Sequence, residues 1–439
     1  MASKNITCLR QSYQSLSNKL RHIHFGRHSV TSGFRQRKEQ KLTGKLLLIS
    51  FFLMALQGKN SLQLWAEKLS LIKGGGVSKQ AVWKRMTAFY TKFLIAVLQE
   101  ALRDQLMRNR VNLNNQFLRK CYQRVLIQDS TCIALPSCLC WCFPGNTSRG
   151  KRKAGLKIQV VYDLLSNQFI HLEITPFTTN DQSQSKKILS IAKEDDLVIR
   201  DLGYFVTDCF NQLLNEQIHF VSRLRFGKKL TELRTGKNIN LLRDLRKHGK
   251  LDRWINIGIH ETTAVRLVAM PLPQEIANRR RQKAKQDRDQ RLKHSKEYYE
   301  QLGYSIFITS ESNERFTDLQ IAKLYSFRWR IETIFKCWKS HFHFQRLIPA
   351  TTSMTQHRVE AIIYMLLIFC ILFLISTYSY LIALGYSTIS IVKLSRFIAN
   401  NFIPIVNHKI KTFIADIVRY CSYEIRSDRV NFTQNLKLG

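Results

Sequence analysis

The sequence predicts an α/β protein: a mixed sheet core, interrupted once by a β-rich insertion and bracketed by helical regions. Three observations carry that expectation. Between 120 and 226, short runs of β-type residues alternate with helical periods, as when strands and helices are laid down in turn. On either side of the core, the apolar residues recur at helical spacing. The strand-rich pattern also breaks off at 227 and resumes only at 304.

Residues 1–41 are polar and basic with no sustained apolar period, and read as a flexible or loosely helical basic arm. Residues 42–119 read as helical. Within them, SLQLWAEKLSLIKGGGVSKQAVWKRMTAFY puts Leu62, Trp65, Ala66 and Leu69 on one face, a glycine break at Gly74–Gly76, and Ser78 as N-cap of a second helix. This is a helix–turn–helix outline, with Lys79, Gln80, Lys84 and Arg85 near the start of the second helix. Two helices packed for their own sake give the same outline.

From 120 the period changes. RVLIQDS (124–130) is an apolar run ending in Asp129, and KIQVVYDLLSNQFIHLEITP (157–176) reads as two strands with a tight turn at Ser166–Asn167. SQSKKILSIAKE (183–194) reads as an amphipathic helix and DLVIRDLGYF (196–205) as a strand ending in Asp201. TDCFNQLLNEQ (207–217) is a helix and HFVSRLRF (219–226) a further strand. Asp129 and Asp201 thus stand at strand ends, where open sheets present chemistry.

Residues 227–303 read as a domain in their own right. LDRWINIGIHETTAVRLVAMPLP (251–273) alternates like two strands, and 274–303 is a highly charged helix without a core-facing stripe. The core resumes with YSIFITS (304–310) and a long helix over 315–342, completing a core of 120–226 and 304–345. Residues 346–439 form a C-terminal helical region. In it, Ala361–Val392 carries no charge, and Ile362–Ile375 is as apolar as a membrane span. The polar run Ser376–Tyr380 stops it after fourteen residues, the length of a buried core helix. The other reading is a membrane protein anchored by 362–383.

Lys and Arg outnumber Asp and Glu by 69 to 31, a formal charge of +38. Such a field favours a polyanion, either nucleic acid or an anionic membrane surface. The 45% hydrophobic content excludes a disordered chain. Ten cysteines with no apolar leader segment imply a reducing cytosol. Cys138, Cys140 and Cys142 alternate in SCLCWCF, the wrong spacing for paired zinc ligands, and read as small apolar residues of an extended segment.

In YSFRWRIETIFKCWKS (325–340), a continuous helix gathers Tyr325, Arg328, Glu332, Lys336 and Lys339 on one narrow face. Arg328 and Glu332 at i,i+4 also suit an ordinary solvated face. Asp129, Asp201 and Glu332 are candidates for a joint site, because oxygen-only ligands suit hard cations such as Mg²⁺. Three carboxylates suffice to seat two ions that act on a phosphodiester.

Tyr325, Arg328, Glu332 and Lys339, spaced by two, three and six residues, resemble the Tyr-Arg-Glu-Lys signature of bacterial DDE transposases of the insertion-sequence-four group. DSTCIALP around Asp129, DLGYF around Asp201 and RWRIETIFKCWKS resemble that family's three catalytic blocks, in order. The resemblance covers about 120–360. It implies a ribonuclease-H-like mixed sheet, metal-dependent cleavage at transposon inverted-repeat ends, and strand transfer into target DNA. It implies Asp129, Asp201 and Glu332 as catalytic ligands of two Mg²⁺ ions, with Mn²⁺ as a substitute. Tyr325, Arg328 and Lys339 would contact end phosphates. Trp254, in the insertion, is the candidate to stack on a displaced base, although its residue type favours a core position over that role. The resemblance strengthens the DNA-reading version of Lys79, Gln80, Lys84 and Arg85. It also implies a homodimer in the DNA complex, no membrane, and a cytoplasmic, nucleoid-associated location. The rival is a catalytically silent, DNA-binding descendant.

Overall fold

Val125, Ile127, Leu197, Ile199, Phe220 and Val221 are all without solvent exposure, so the strands that carry them lie at the centre of the protein with both faces covered. The computed structural model describes residues 2–37, 41–55, 61–108, 116–148, 150–258, 262–286, 294–350 and 354–424. Within these, ten strands form one sheet: β1 (Val125–Leu135), β2 (Pro144–Ser148), β3 (Lys151–Asp163), β4 (Gln168–Pro176), β5 (Leu197–Arg200), β6 (His219–Arg223), β7 (Leu230–Glu232), β8 (Leu251–Ile257), β9 (Thr263–Pro271) and β10 (Tyr304–Thr309). Their order is β2-β3-β1-β5-β6-β10-β9-β8-β7, with β4 also paired to β3. The central β1, β5 and β6 are parallel and every other pairing is antiparallel. Alternation along each strand then splits the core into two layers. Val125, Ile127, Leu197 and Ile199 join one apolar cluster, and Leu126, Val198 and Phe220 the other.

The helices preceding the sheet are α1 (Ala2–Lys19), α2 (Phe25–Thr31), α3 (Gly44–Ala55), α4 (Leu62–Lys73), α5 (Lys79–Arg85), α6 (Ala88–Arg108) and α7 (Gln116–Cys121). Inside it come α8 (Thr207–Asn215), α9 (Leu241–His248), α10 (Gln274–Lys285), α11 (Lys296–Gln301), α12 (Asp318–Ser326) and α13 (Trp329–Ser340). After it come α14 (Gln356–Phe369), α15 (Ser376–Ala383), α16 (Ile391–Asn400), α17 (Phe402–Asn407) and α18 (Ile414–Cys421). The expected helix–turn–helix outline is present. Ser61 caps α4, Gly74 ends it with φ +76°, and the Ser78 hydroxyl accepts from the Ala81 N–H to start α5.

Several expectations need correction. The N-terminal stretch is no free arm: Leu9, Ser12, Leu16, Leu20, Ile23, Phe25 and Phe34 are buried. The Lys19 ammonium donates to the carbonyls of Ile405, Val406 and His408 at the end of α17. Residues 183–194 hold only a 3-10 turn, Ser185–Ser190. Residues 137–139 likewise form a 3-10 turn, so the three alternating cysteines lie in a turn and not in an extended segment. The insertion is not a separate domain, because β9 pairs with β10 along six residues and carries the sheet onward through β8 and β7. Its charged stretch is two helices, α10 and α11, with 287–293 outside the described residues. The long helix of 315–342 breaks at Phe327–Arg328 into α12 and α13.

The uncharged C-terminal run is one unbroken helical rod, Gln356–Ala383, with a π-helical turn at Cys370–Ile375 between α14 and α15. It is long and apolar enough to cross a membrane, yet 83% of its most apolar window is buried inside the protein. Phe369 and Phe373 pack edge-on against Phe52 of α3 and Phe402 of α17, so protein side chains supply the burial of a core helix.

A histidine-rich segment fastens the first two helices to α6. The Glu100 carboxylate accepts from His24 Nδ1 at 2.5 Å, from His28 Nε2 at 2.7 Å and from the His24 amide at 2.9 Å. Burial pushes the Glu100 carboxyl upward, but the bonds from His24 and His28 outweigh it and hold it below its ordinary pKa. A depressed folded pKa adds stability that is present above the ordinary carboxylate range and is lost as pH falls through the lowered value. Glu100→Gln is expected to cost about 1 kcal/mol at neutral pH. Denaturant titrations of both proteins should show the gap closing toward acid pH.

Candidate active site

The parallel pairing of β1 with β5 ends at Gln128–Arg200. One step further on each strand come Asp129 and Asp201. Asp201 therefore stands just beyond β5, as expected, but Asp129 is not at a strand end: β1 runs on to Leu135, paired with β3 throughout. What ends beside Asp129 is its neighbour strand. By alternation both acids share the face of Ile127 and Ile199, the face that α12 and α13 cover.

The break between α12 and α13 brings the third acid in. Thr317 opens α12 with a capping box to Gln320, and Phe307 of β10 packs on Tyr325 with ring centroids 5.1 Å apart. The buried Phe327 anchors the turn, and Arg328 caps α13 with Glu332 in its first turn. Tyr325 and Arg328 therefore belong to different helices. The single-helix stripe is replaced by a bend that points Tyr325 at Asp201 and Arg328 at Asp129.

Arg328 is the hub. Its Nη1 donates to Asp129 Oδ2 at 2.8 Å and its Nη2 to Glu332 Oε1 at 2.6 Å. Its Nε lies 3.6 Å from Asp201 Oδ1, and that buried Nε has no hydrogen-bond partner. The Tyr325 hydroxyl donates to Asp201 Oδ1 at 3.1 Å, and the Ser130 amide donates to Asp129 Oδ1 at 2.8 Å. Burial pushes the Asp129 carboxyl up to about 7; Arg328 opposes that rise, while Asp201 and Glu332 add to it. Burial works against the Arg328 cation, but Tyr325 and the three carboxylates hold its pKa above the ordinary value. The Tyr325 phenol is raised by burial and by Asp201, so it stays a neutral donor.

One oxygen from each of three carboxylates thus faces one cation, and carboxylate oxygens are the donor type that suits a hard divalent ion. Among the described residues, no three acid, imidazole or thiol side chains form a ready-made metal cage. The Arg328 guanidinium lies among the three carboxylates. One of its nitrogens, Nε, is left unsatisfied there, so the guanidinium does not use all its donors on the acids.

The other candidate residues lie apart from the acids. Lys339 is exposed in the last turn of α13, about 16 Å along the helix from Arg328. Lys79, Gln80 and Lys84 are exposed on α5, which packs on α4. Arg85 is not displayed with them: its guanidinium lies over the Phe34 ring at 3.9 Å and bonds the Phe34 carbonyl, holding the N-terminal helices in place. Trp254 is not a core residue. It is 39% exposed on β8, four strands from β5 and so about 19 Å across the sheet.

Three residues near the acids escaped the sequence reading. Trp329, at the start of α13, is 63% exposed beside Arg328. Arg223, the last residue of β6, and Arg280 of α10 both couple electrostatically to Tyr325. A signal existed for Arg223: it is a cation at the end of the strand next to Asp201. Arg280 had none, since nothing local says where α10 docks.

A mixed sheet with a parallel centre, acids at adjacent positions on its two neighbouring strands and a third acid on a covering helix is consistent with a ribonuclease-H-like core. Comparison with known proteins gives the family. Residues 121–373 match the family model described as the transposase DDE domain. The transposase for insertion sequence element IS231D of Bacillus thuringiensis subsp. finitimus is 27% identical over 76% of this chain and 72% of that protein. The transposase for insertion sequence element IS1151 of Clostridium perfringens is 27% identical over 71% of this chain and 69% of that protein. A loose overlay at TM-score 0.41 and 13% identity covers 97% of this chain and 87% of a chain in the piggyBac transposase synaptic complex with hairpin DNA. The chain belongs to the DDE-domain transposases of bacterial insertion sequences. Its function is DNA transposition, by cleavage and strand transfer. The insertion-sequence-four resemblance is consistent with these relatives, and the family generally works with divalent metal ions.

Proposed function

We propose that the chain cleaves DNA at the inverted-repeat ends of its element and joins the freed 3′-hydroxyl to target DNA, with Asp129, Asp201 and Glu332 holding two Mg²⁺ ions. The observation that carries this is the convergence of the three acids on one guanidinium, across 199 residues for Asp129 and four for Glu332. Bound divalent ions would activate a hydroxyl nucleophile and stabilise the leaving oxygen. The chain's own residues do the rest. Arg328 neutralises the acids in the metal-free protein, then turns its planar fork to an end phosphate. Tyr325 holds Asp201 through its hydroxyl, and Lys339 adds a point charge further along the same strand of DNA. Lys79, Gln80 and Lys84 present a second basic surface for recognising the element ends.

The active species on DNA is a homodimer, and the protein works in the cytoplasm on the nucleoid. A supercoiled plasmid carrying the terminal repeats tests the reading. Mg²⁺ or Mn²⁺ should yield nicked and linear products that EDTA prevents. Intact plasmid in both metals, with end binding retained, would identify a silent descendant instead.

A further inference from the structure

Strand β1 continues for six residues past Asp129, carrying β3 and then β2 with it beyond the end of β5. The antiparallel ribbon so formed rises from the rim on which the acids stand. Its lower part is anchored, since Ile133, Leu135, Leu156 and Ile158 are buried in the main core. Its tip is not. Lys151, Arg152 and Lys153 are exposed in succession, so both faces of the ribbon are in solvent there. None of the three side chains has a hydrogen bond or ion pair within the described structure. Close approach keeps the tip narrow: a Cβ on Gly145 would meet the Lys153 carbonyl at 2.9 Å, and Gly150 turns at φ +73°.

Charge and position indicate what the ribbon meets. Between Asp129 and Asp163 the chain has five cations and no carboxylate. Lys157 is spent on Asp181, at 3.1 Å. The exposed cations of the tip are left without a protein counter-charge, on a strand whose register with Asp129 is fixed at Val160. Counting from that register at about 3.3 Å per residue, Lys153 stands about 23 Å from the acids. That span equals about seven base pairs of duplex. In the turn that leads into β2, Trp141 is 64% exposed, an apolar ring on the same hairpin.

We propose that the β2–β3 hairpin is a DNA-binding wing: Lys151, Arg152 and Lys153 grip the phosphate backbone of the element-end duplex about seven base pairs from the bond cut at Asp129, Asp201 and Glu332. This rests on the site assignment above. It extends the assignment by one contact surface, on the opposite edge of the acids from α10 and the insertion.

The test uses the full chain with Lys151, Arg152 and Lys153 all changed to Gln, beside wild type and Arg328→Ala. Binding to a labelled duplex of the terminal inverted repeat with its flank is followed by fluorescence anisotropy across a salt series. The triple variant should bind at least about tenfold more weakly near physiological salt. The slope of log K against log salt should fall by about 2–3, at about 0.9 for each phosphate no longer neutralised. Because the tip is exposed on both faces, its thermal unfolding should match wild type. The weakening should vanish on duplexes trimmed to less than about seven base pairs on the wing side. Unchanged affinity and slope in the triple variant, with Arg328→Ala still weakened, would overturn the wing and leave the active site standing. The reverse pattern would keep the wing and remove Arg328 as a phosphate contact. A weakening confined to unrelated target duplex would also overturn the proposal as stated.

Discussion

Asp129→Ala, Asp201→Ala and Glu332→Gln are each expected to lower plasmid nicking by about 10³-fold or more, the scale of losing electrostatic stabilisation at a reacting phosphate. End binding should stay within a few-fold of wild type, because none of the three carboxylates contacts DNA favourably. The environments separate the variants in one respect. Asp129 is 13% exposed and bonds Arg328 directly, whereas Asp201 is 39% exposed and bonds Tyr325. Asp129→Ala therefore also frees one arm of the guanidinium, and it should bind end DNA slightly more tightly than Asp201→Ala. Nicking at the wild-type rate in any one of the three would remove that residue from the site.

Arg328→Ala is expected to act in opposite senses on metal and on DNA. In the metal-free protein the guanidinium is the only cation bonded to Asp129 and Glu332 among the described residues. Without it three carboxylates face one another, Asp129 almost wholly buried, so the protein should lose about 1–3 kcal/mol of stability. Divalent ions then bind without displacing a bound cation. The thermal shift on adding Mg²⁺ should exceed that of wild type, even as nicking and end binding fall. Arg328→Lys should restore stability better than end binding, since an ammonium neutralises charge but lacks the bidentate fork. An Mg²⁺ shift equal to that of wild type would show that the guanidinium does not stand in the ion's place.

Much of the core was legible because its signals are local. Val125–Asp129 and Leu197–Asp201 announce themselves as buried strands followed by an acid, and those are the strands the fold sets side by side. Gly74 and Ser78 mark the ends of α4 and α5 by their backbone chemistry. The bend at Phe327–Arg328 was hidden, since the helical period runs straight through it with no proline or glycine. The residue at the bend, Phe327, is buried in the core. The insertion looked independent because alternation in 263–271 is the same whether the strand pairs within 227–303 or with Tyr304–Thr309 beyond it. The N-terminal segment carried a readable stripe, with Leu9, Ser12 and Leu16 of α1 and Leu20 and Ile23 just beyond it at spacings of three and four. The basic residues between them diluted it. Trp254 and Arg85 went wrong in opposite directions for one reason: residue type gives a tendency to be buried or exposed, while the partner ring or neighbouring strand that decides it comes from elsewhere in the chain.

The grip of Lys19 on the carbonyls at 405, 406 and 408 has a consequence for how the molecule is made. A ribosome releases the chain from its first residue onward, so α1 emerges almost four hundred residues before its seat on α17 exists. Until residue 408 has cleared the exit tunnel, α1 can pack on α3 and α4, but the Lys19 ammonium has no carbonyls of α17 to hold. Closure of the longest loop in the protein is then among the last events of folding. A polypeptide halted short of that residue would carry the sheet and all three acids, with its leading helix seated on α3 and α4 but without its contact to α17.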